Sequence, residues 1–227
     1  MDDLQRLQRE IGYQFKDVNL LQRALTHRSL GRKNNERLEF LGDSILGFVI
    51  AESLYQKFPH LGEGDLTKMR ARLVRGQTLA SQAREMNLSS FLLLGQGELK
   101  SGGSNRDSIL ADSLEAIVGS IYLDSDFETV RTLILSWFEK LIANISMESI
   151  KDNKTQLQEL MQKRGEPLPI YEVTDQSGQQ HNLMFTVSCY LPSLDQGFLA
   201  TGTSRRKAEQ AAAAVAIDAV SEARRKP

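Results

Sequence analysis

The sequence NERLEFLGDSILGFVIA, residues 35–51, combines a long apolar run with isolated acidic residues. Beyond Arg37, the only charged residues in this stretch are Glu39 and Asp43. An apolar run of this length predicts a helix that is buried over most of its surface. Residues four apart project from the same side of a helix, so the two carboxylates share one face, with Glu36 one turn earlier.

The opposite face of this helix is predicted to pack into a hydrophobic core. Five apolar side chains form it: Leu38, Leu41, Ile45, Phe48 and Val49. Gly42 and Gly47 lower the stability of an isolated helix, so we expect another backbone to pack closely against them.

A second stretch, ILADSLEAIVGSIYL at residues 109–123, has the same unusual composition. Its only charged residues are Asp112 and Glu115, which lie three apart and therefore on one helical face. Neither apolar run contains an Arg or Lys that could neutralise its carboxylates. Because a buried ion is costly unless it is paired or bound to a metal, both pairs of acids need a partner.

Two such helices packed face to face would bring four carboxylates to one point. An all-oxygen cluster of this kind suits Mg²⁺ or Mn²⁺, and two divalent ions would balance its four negative charges. Paired divalent ions are used for in-line displacement at phosphodiesters. The alternative is that each pair of acids belongs to a solvated helix face, which the two nearly continuous apolar runs argue against.

The overall composition is that of an ordinary globular protein. The 227 residues are 41% hydrophobic and 25% charged, with a net charge of −1, so any contact with nucleic acid has to be local. The polar N-terminus predicts no signal peptide, and the lack of a run of about 18 apolar residues predicts no membrane span. A single cysteine, Cys189, excludes an internal disulfide, which agrees with a reducing cytoplasm.

Residues 1–145 are predicted to form an all-helical domain. Helical patterns other than the two carboxylate helices occupy residues 4–11, 18–25, 66–86 and 127–145, the last three with N-caps at Asp17, Asp65 and Asp126. The basic loop GRKNN, residues 31–35, leads into the first carboxylate helix, and the glycine-rich segment 94–108 is predicted as a mobile loop beside the cleft.

Two further residues lie near these elements in the sequence. Glu63 just precedes the helix predicted at residues 66–86 and could add a fifth carboxylate to the cluster. His27 is expected to form hydrogen bonds at a helix end, because a hard Mg²⁺ site does not favour an imidazole ligand.

After a polar linker at residues 146–153, residues 154–224 are predicted to form a small α+β domain. Strand-like segments at residues 170–175, 183–190 and 198–202 lie between helices at 155–164 and 204–223. The order α-β-β-β-α predicts a three-stranded antiparallel sheet with helices packed against it.

The start of the last helix is strongly basic. Ser204 is its predicted N-cap, and Arg205, Arg206 and Lys207 fill the first turn. Cations at a helix N-terminus oppose the helix dipole, so they weaken the helix locally. Together with the free N–H groups of that turn they form an anion site suited to phosphates. His181 follows the turn between the first two strands.

These motifs resemble those of the ribonuclease III family over nearly the whole chain. The segment NERLEFLGDS resembles the family signature, and the last domain resembles a double-stranded RNA-binding domain. The similar segments are residues 35–44, 52–59, 97–103 and 108–124 in the first domain and GTSRRKAEQAAA, residues 202–213, in the second. One difference is that the family's Gly-Pro-x-His pattern reads GQQH here, which keeps His181 without the proline.

The resemblance implies an endonuclease that hydrolyses both strands of double-stranded RNA, leaving 5′-phosphate and 3′-hydroxyl ends with a short 3′ overhang. Glu39, Asp112 and Glu115 would bind Mg²⁺, with Mn²⁺ as a plausible substitute. Asp43 would orient water near the metal, and Glu115 would also be essential to the chemistry. Glu36 and Glu63 would be accessory carboxylates in the cleft.

The resemblance also implies a cytoplasmic homodimer that processes precursors of ribosomal RNA and some mRNAs and tRNAs. Phe40 lies off the core face and would pack across the two-fold interface. In the second domain, Gln158, Glu159 and His181 would contact 2′-hydroxyls in the minor grooves. Basic residues of the last helix, Arg205, Arg206 and Lys207, would contact the phosphates between them.

Three other functions fit parts of the sequence. A double-stranded RNA-binding protein could use the helical domain only to dimerise, although all four carboxylates are present. A helical di-iron oxidase needs Glu-x-x-His pairs, and the sequence has none. A metal-dependent NTP hydrolase would need a phosphate-binding loop, and the GxxxxGK[ST] pattern is absent.

Overall fold

The computed structural model describes residues 3–146, 153–178 and 183–222. The chain divides into two units, residues 1–147 and 148–227, so the division falls inside the predicted linker 146–153. Residues 147–152 of that linker lie outside the described residues, as do Gln179 to Asn182, which include His181. Within the described part, no helix is both long enough and apolar enough to cross a membrane.

The first unit is helical, as predicted from the apolar patterns. Its described residues form eight α-helices: α1 Asp3–Ile11, α2 Val18–Ala24, α3 Glu36–Lys57, α4 Glu63–Leu73, α5 Gly76–Glu85, α6 Gln96–Lys100, α7 Asp107–Asp124 and α8 Phe127–Asn144. The predicted N-caps of α2 and α8 are confirmed. Asp17 accepts a hydrogen bond from the Asn19 amide at 3.0 Å, and Asp126 accepts one from the Thr129 amide at 2.8 Å.

Helices α3 and α7 pack against each other at the centre of this unit. Their buried faces are almost entirely aliphatic, and each fully buried Leu or Ile contributes about 1.5–3 kcal/mol relative to an exposed one. The fully or nearly fully buried side chains of the two helices include Leu38, Leu46, Val49, Ile50, Leu54, Leu110, Leu114, Ile117, Val118 and Ile121. These two carboxylate helices therefore form the core of the unit.

Two glycines allow the α3 and α7 backbones to touch. A Cβ atom added to Gly42 would lie 1.7 Å from the carbonyl oxygen of Glu115, and one added to Gly119 would lie 2.3 Å from that of Leu38. The predicted close approach is thus confirmed at Gly42. It is wrong for Gly47, where an added Cβ would meet no atom within 4 Å.

The core face of α3 differs from the predicted one at Phe48. This side chain is 57% exposed, whereas Leu46, which was not in the predicted core face, is fully buried. Because α3 contacts α7 through Gly42, the buried arc is displaced from the predicted stripe toward the carboxylates. Phe48 then lies at the edge of the arc, where its ring meets that of Phe127 at 5.7 Å between centroids.

The single helix predicted at residues 66–86 is wrong, because the chain breaks between α4 and α5. Arg75 adopts an extended conformation with ψ of 147°. The Thr78 hydroxyl donates to the Arg72 carbonyl at 2.9 Å across the break. Asp65 is not the N-cap, since α4 begins at Glu63, and its carboxylate instead pairs with Lys68 at 3.2 Å.

The segment 94–108, predicted as a mobile loop, has local structure. It contains α6 and a 3₁₀ turn at Gly103–Asn105. An ion pair joins Arg106 to Glu98 at 2.6 Å, and another joins Arg84 to Asp107. The first contact joins residues eight apart within the segment and the second joins the segment to α5, so the glycine content alone did not reveal them.

The second unit has the predicted α-β-β-β-α order. It consists of α9 Asn153–Lys163, β1 Ile170–Ser177, β2 Met184–Leu191, β3 Gln196–Gly202 and α10 Arg205–Glu222. The sheet is antiparallel in the order β1-β2-β3. The predicted strand bounds agree with the structure to within two residues.

One face of this sheet is covered by the two helices of the unit. The core combines aliphatic and sulfur side chains of α9 and the strands with small residues of α10: Leu157, Met161, Val187, Cys189, Leu191, Phe198, Ala208, Ala212, Ala213, Ala216 and Val220. Alanines allow α10 to lie close to the sheet, which explains the alanine-rich sequence. Cys189 is buried within this core.

We expect replacement of Gly42 by alanine to destabilise the first unit, because the added methyl would force α3 and α7 apart. Overpacking of a well-packed core typically costs about 1–3 kcal/mol, and a collision with backbone lies at or above the top of that range. Urea-induced unfolding followed by circular dichroism measures the loss.

The matched control is Gly47→Ala in the same helix. Open space surrounds Gly47, so the gain in helix propensity should leave stability unchanged or raise it by up to about 1 kcal/mol. Equal effects of the two substitutions would show that the contact at Gly42 does not limit the approach of the helices.

Candidate functional site

The contact between α3 and α7 brings three carboxylates together. Oxygen atoms of Glu39, Asp112 and Glu115 all lie within 4.8 Å of one another, and all three residues are half-buried. Two unit charges at that distance repel each other by about 3–4 kcal/mol for an effective dielectric constant of about 20. The three oxygens could therefore hold a divalent cation, which would remove the repulsion.

Glu115 has the most perturbed environment of the cluster. Burial is the largest cause, followed by the charges of Asp43, Asp112 and Glu39, and together they raise the pKa of Glu115 to about 8. The backbone of Glu115 packs on Gly42, so its side chain begins close to α3. An acid that ionises with such difficulty in the absence of a cation is well placed to gain from binding one.

The other two members of the cluster are shifted in the same direction. Burial, then the charges of Asp112 and Glu36, raises the pKa of Glu39. Burial also raises the pKa of Asp112, against the lowering effect of His27 and Arg28. All three carboxyls are therefore harder to ionise than ordinary carboxyls, and a bound cation would favour their charged form.

Asp43 and Glu36 border the cluster on either side along α3. Asp43 is exposed, and its charge contributes to raising the pKa of both Glu115 and Glu39. Glu36 accepts a hydrogen bond from the Asn34 amide at 3.0 Å and lies 3.7 Å from the Arg28 guanidinium. The four predicted carboxylates and one accessory carboxylate thus occupy one region of the unit.

Glu63 lies elsewhere in the same chain. Its carboxylate accepts a hydrogen bond from the Thr67 hydroxyl at 2.9 Å, and the residue lines a groove beside Phe48 and Tyr55. The structure therefore does not bring Glu63 to the three-carboxylate cluster of its own chain. Its accessory role stays a prediction.

Two basic side chains near the cluster, His27 and Arg28, were not predicted there. His27 caps a 3₁₀ turn, Arg28–Leu30, by accepting a hydrogen bond from the Ser29 amide at 3.2 Å, which agrees with its predicted role. The charges of both His27 and Arg28 lower the pKa of Asp112, against burial. The position of Arg28 just before the basic loop was the only sequence signal for this proximity.

The basic turn of the second unit is exposed. Ser204 accepts a hydrogen bond from the Lys207 amide at 3.3 Å, as expected for an N-cap. Arg205 pairs with Glu209 at 2.9 Å, whereas Arg206 and Lys207 project into solvent. Lys207 also donates to the Thr203 hydroxyl at 3.2 Å.

The helix α9 is held against this basic turn by polar contacts. Lys154 pairs with Glu209 at 2.7 Å, and the Asn153 amide donates to the Gln210 carbonyl at 2.9 Å. Because of these contacts, the exposed residues Gln158 and Glu159 keep a defined position relative to the turn. The prediction for His181 falls outside the described residues.

An exposed aromatic side chain stands out on α3. Phe40 is 77% exposed, as predicted, and Tyr55 on the same helix is 72% exposed. Near Phe48 and Tyr55 lies a groove of about 660 Å³, which is lined mainly by apolar side chains. Large exposed apolar surfaces of this kind mark interaction sites.

Comparison with known proteins agrees with both units. Residues 17–142 match the family model described as Ribonuclease-III-like, and residues 153–220 match the double-stranded RNA binding motif. The nuclease domain of ribonuclease III from Campylobacter jejuni has a TM-score of 0.61 and 45% identity, and it covers 64% of this chain and 100% of its own.

Whole-length relatives are also similar. Ribonuclease 3 of Vibrio parahaemolyticus is 57% identical over 216 residues, which cover 95% of this chain and 96% of the relative. Ribonuclease 3 of Aliivibrio fischeri is 58% identical over 215 residues, which cover 94% and 96% of the two chains. With both units matched in order and a carboxylate cluster in the first, the chain belongs to the ribonuclease III family of endoribonucleases.

Proposed function

We propose that this chain is a Mg²⁺-dependent endoribonuclease that hydrolyses both strands of double-stranded RNA. The observation that carries the proposal is the meeting of Glu39, Asp112 and Glu115 within 4.8 Å at the contact of two core helices. The attached double-stranded RNA binding motif supplies the substrate class. A protein that only bound RNA would have no need for a destabilising cluster of acids in its core.

The donor set fits a hard divalent cation. All three groups offer carboxylate oxygens, which Mg²⁺ prefers, and Mn²⁺ is a plausible substitute. We therefore assign Glu39, Asp112 and Glu115 as metal ligands. When bound, the metal lowers the pKa of a water molecule and stabilises charge on the leaving oxygen.

The protein side chains position the reactants around that site. Asp43 is exposed at the edge of the cluster, where its carboxylate holds and orients water, and Glu36 lines the cleft. Glu63 keeps its proposed accessory role, although it lies away from the cluster of its own chain. Water adds to phosphorus and the bond to the 3′ oxygen breaks, which leaves a 5′-phosphate and a 3′-hydroxyl.

The second unit binds the duplex by its shape. Gln158, Glu159 and His181 contact 2′-hydroxyls of the minor grooves, and Arg205, Arg206 and Lys207 contact the phosphates between them. The contacts between α9 and the basic turn keep Gln158 and Glu159 in register with Arg205, Arg206 and Lys207. Such contacts do not depend on base sequence.

The active form is a homodimer in which each subunit cuts one strand, so that the two cuts leave a short 3′ overhang. Support comes from the exposure of Phe40 and from the apolar groove beside Phe48 and Tyr55. A related nuclease-domain structure from Campylobacter jejuni, 46% identical with a TM-score of 0.60, is described as flexible in a region involved in dimer formation. Phe40 packs across the interface.

The physiological role follows that of the family. The substrates are precursors of ribosomal RNA and some mRNAs and tRNAs, and the protein acts in the cytoplasm. The buried, unpaired Cys189 is compatible with that reducing compartment.

Cleavage of long double-stranded RNA tests the proposed reaction. We expect cutting with Mg²⁺, none with EDTA, and 5′-phosphate and 3′-hydroxyl ends. Glu115→Gln should lower the rate by more than about 100-fold. Substitution of residues that only hydrogen-bond to metal ligands already lowers metal affinity or activity by about 10–100-fold. Glu85→Gln, at an exposed site on α5, is the control and should cut normally. A gel shift of wild type without metal-dependent cutting would identify a binding module instead.

The raised pKa of Glu115 predicts how the stability of metal-free protein depends on pH. Between the ordinary value of 4.5 and about 8, the folded state keeps a proton on Glu115 that the unfolded state has lost. Stability should therefore fall as pH rises through this range, and Mg²⁺ should stabilise more at pH 8.5 than at pH 6. Thermal unfolding in EDTA and in Mg²⁺ measures both effects.

Glu115→Gln should flatten this pH dependence and Glu85→Gln should keep it. If Glu115→Gln and wild type showed the same profile, the carboxylate of Glu115 would not be the strained group in the metal-free protein.

Replacement of Phe40 by alanine should weaken the dimer, since an aromatic side chain at the centre of an interface typically contributes about 2 kcal/mol or more. We expect at least a tenfold rise in the dimer dissociation constant by sedimentation. Leu30→Ala removes an apolar side chain that is 53% exposed outside α3 and should leave the dimer unchanged. An unaltered dimer in the Phe40 variant would refute the role of this residue.

A further inference from the structure

The basic loop between α2 and α3 forms the wall of a groove that the metal site does not use. Two adjoining depressions share Arg23 and Arg32 as lining residues. One of them has a volume of about 590 Å³ and the other about 640 Å³. Their charged lining residues are five cations, Arg23, Arg28, Arg32, Lys33 and Arg37, and one acid, Glu36.

Such a local excess of positive charge is unusual in this chain. The whole sequence has 28 Lys and Arg against 29 Asp and Glu, so a high overall positive charge does not explain the cations of the groove. Arg32, Lys33 and Arg37 are exposed, and no ion pair neutralises them among the described residues. Like charges placed together oppose folding, which points to an anionic partner.

The loop that carries these cations is anchored by two buried asparagines. The Asn34 side chain donates to the Gly31 carbonyl at 3.1 Å, and its carbonyl oxygen accepts from the Glu36 amide at 3.1 Å. The Asn35 side chain donates to the Ala24 carbonyl at 3.3 Å. These bonds hold the loop in place, so the groove is formed before any partner binds. Binding therefore loses little free energy to ordering of the loop.

The groove adjoins the carboxylate cluster at Arg28. The Arg28 guanidinium lies 3.7 Å from Glu36, which is the first residue of α3, and Glu39 follows one helical turn later. Its positive charge also opposes the burial that raises the pKa of Glu39 and of Asp112. An RNA strand with a phosphodiester at the cluster could therefore place its neighbouring phosphates in the groove.

We propose that the groove lined by Arg23, Arg28, Arg32, Lys33 and Arg37 binds the phosphate backbone of the RNA strand next to the scissile bond. This proposal rests on the proposed function, since it takes the carboxylate cluster as the place of cutting. Arginine guanidinium groups suit phosphate because they can donate two parallel hydrogen bonds. The groove thus positions the strand through contacts that carry no base sequence information.

The first test compares two matched charge reversals, Lys33→Glu in the groove and Lys140→Glu on α8, both at exposed lysines. Binding of double-stranded RNA is measured over a range of salt concentrations, with Glu115→Gln in both proteins to prevent cutting. We expect Lys33→Glu to raise the dissociation constant at least fivefold and to lower the salt slope by about 1, the value for one lost phosphate contact. Lys140→Glu should change the dissociation constant less than twofold.

A second test separates a direct contact from a structural effect. Phosphates of the duplex are replaced singly by uncharged methylphosphonates, and the loss of affinity is mapped for each protein. The Glu115→Gln protein with Lys33 intact should lose affinity when consecutive phosphates beside the cut are replaced. With Lys33→Glu added, replacement of those same phosphates should no longer lower the affinity. Identical maps, or equal binding by the two charge reversals, would overturn the groove proposal.

Failure of the proposed function would look different. If wild-type protein did not cut double-stranded RNA in Mg²⁺, the function itself would be wrong. If it cut normally while Lys33→Glu bound as tightly as Lys140→Glu, only the groove would be excluded.

Discussion

The backbone contact between α3 and α7 at Gly42 and Gly119 is the constraint on which the first unit depends. With no side chain at either position, the two helices approach until the carbonyl oxygens of Glu115 and Leu38 occupy the space of the missing Cβ atoms. That approach sets the distance between Glu39, Asp112 and Glu115. A helix pair held apart by ordinary side chains would leave these acids too far apart to share a cation.

The same approach creates an electrostatic problem that the rest of the site addresses. Half-buried carboxylates within 4.8 Å of one another repel, and burial raises the pKa of each. The aliphatic core of α3 and α7 supplies the stability that tolerates this repulsion in the absence of metal. Arg28 supplies part of the missing positive charge for Asp112, and a divalent cation would supply the remainder.

The two units divide the work between chemistry and recognition. In the first, rigid helices hold carboxylates at fixed distances, which suits a reaction that depends on position. In the second, small alanine side chains let α10 lie on the sheet, and the Lys154–Glu209 pair ties α9 to the basic turn. The proposed RNA contacts on α9 and on the basic turn would thereby keep a fixed spacing, as recognition of a regular duplex requires.

Much of this could be predicted from the residues alone. Apolar runs with isolated carboxylates predict buried helices, because periodicity and composition report how much of an element is covered. Strand patterns and the alanine-rich helix likewise predict the second unit. They do not report what covers an element, so the exposure of Phe48 and the break at Arg75 were predicted wrongly. The accessory role of Glu63 stays a prediction.

The sequence by itself therefore determined the two carboxylate helices, the order of helices and strands in the second unit, and which acids are costly to bury. Tertiary structure decided which face of α3 meets α7, that segment 94–108 is held by ion pairs, and that Arg28 lies beside the acids. The physical reason is that local patterns depend on neighbours within a few residues. Distances between Glu39 and Asp112, or between Arg28 and either, depend on how closely separate helices can pack.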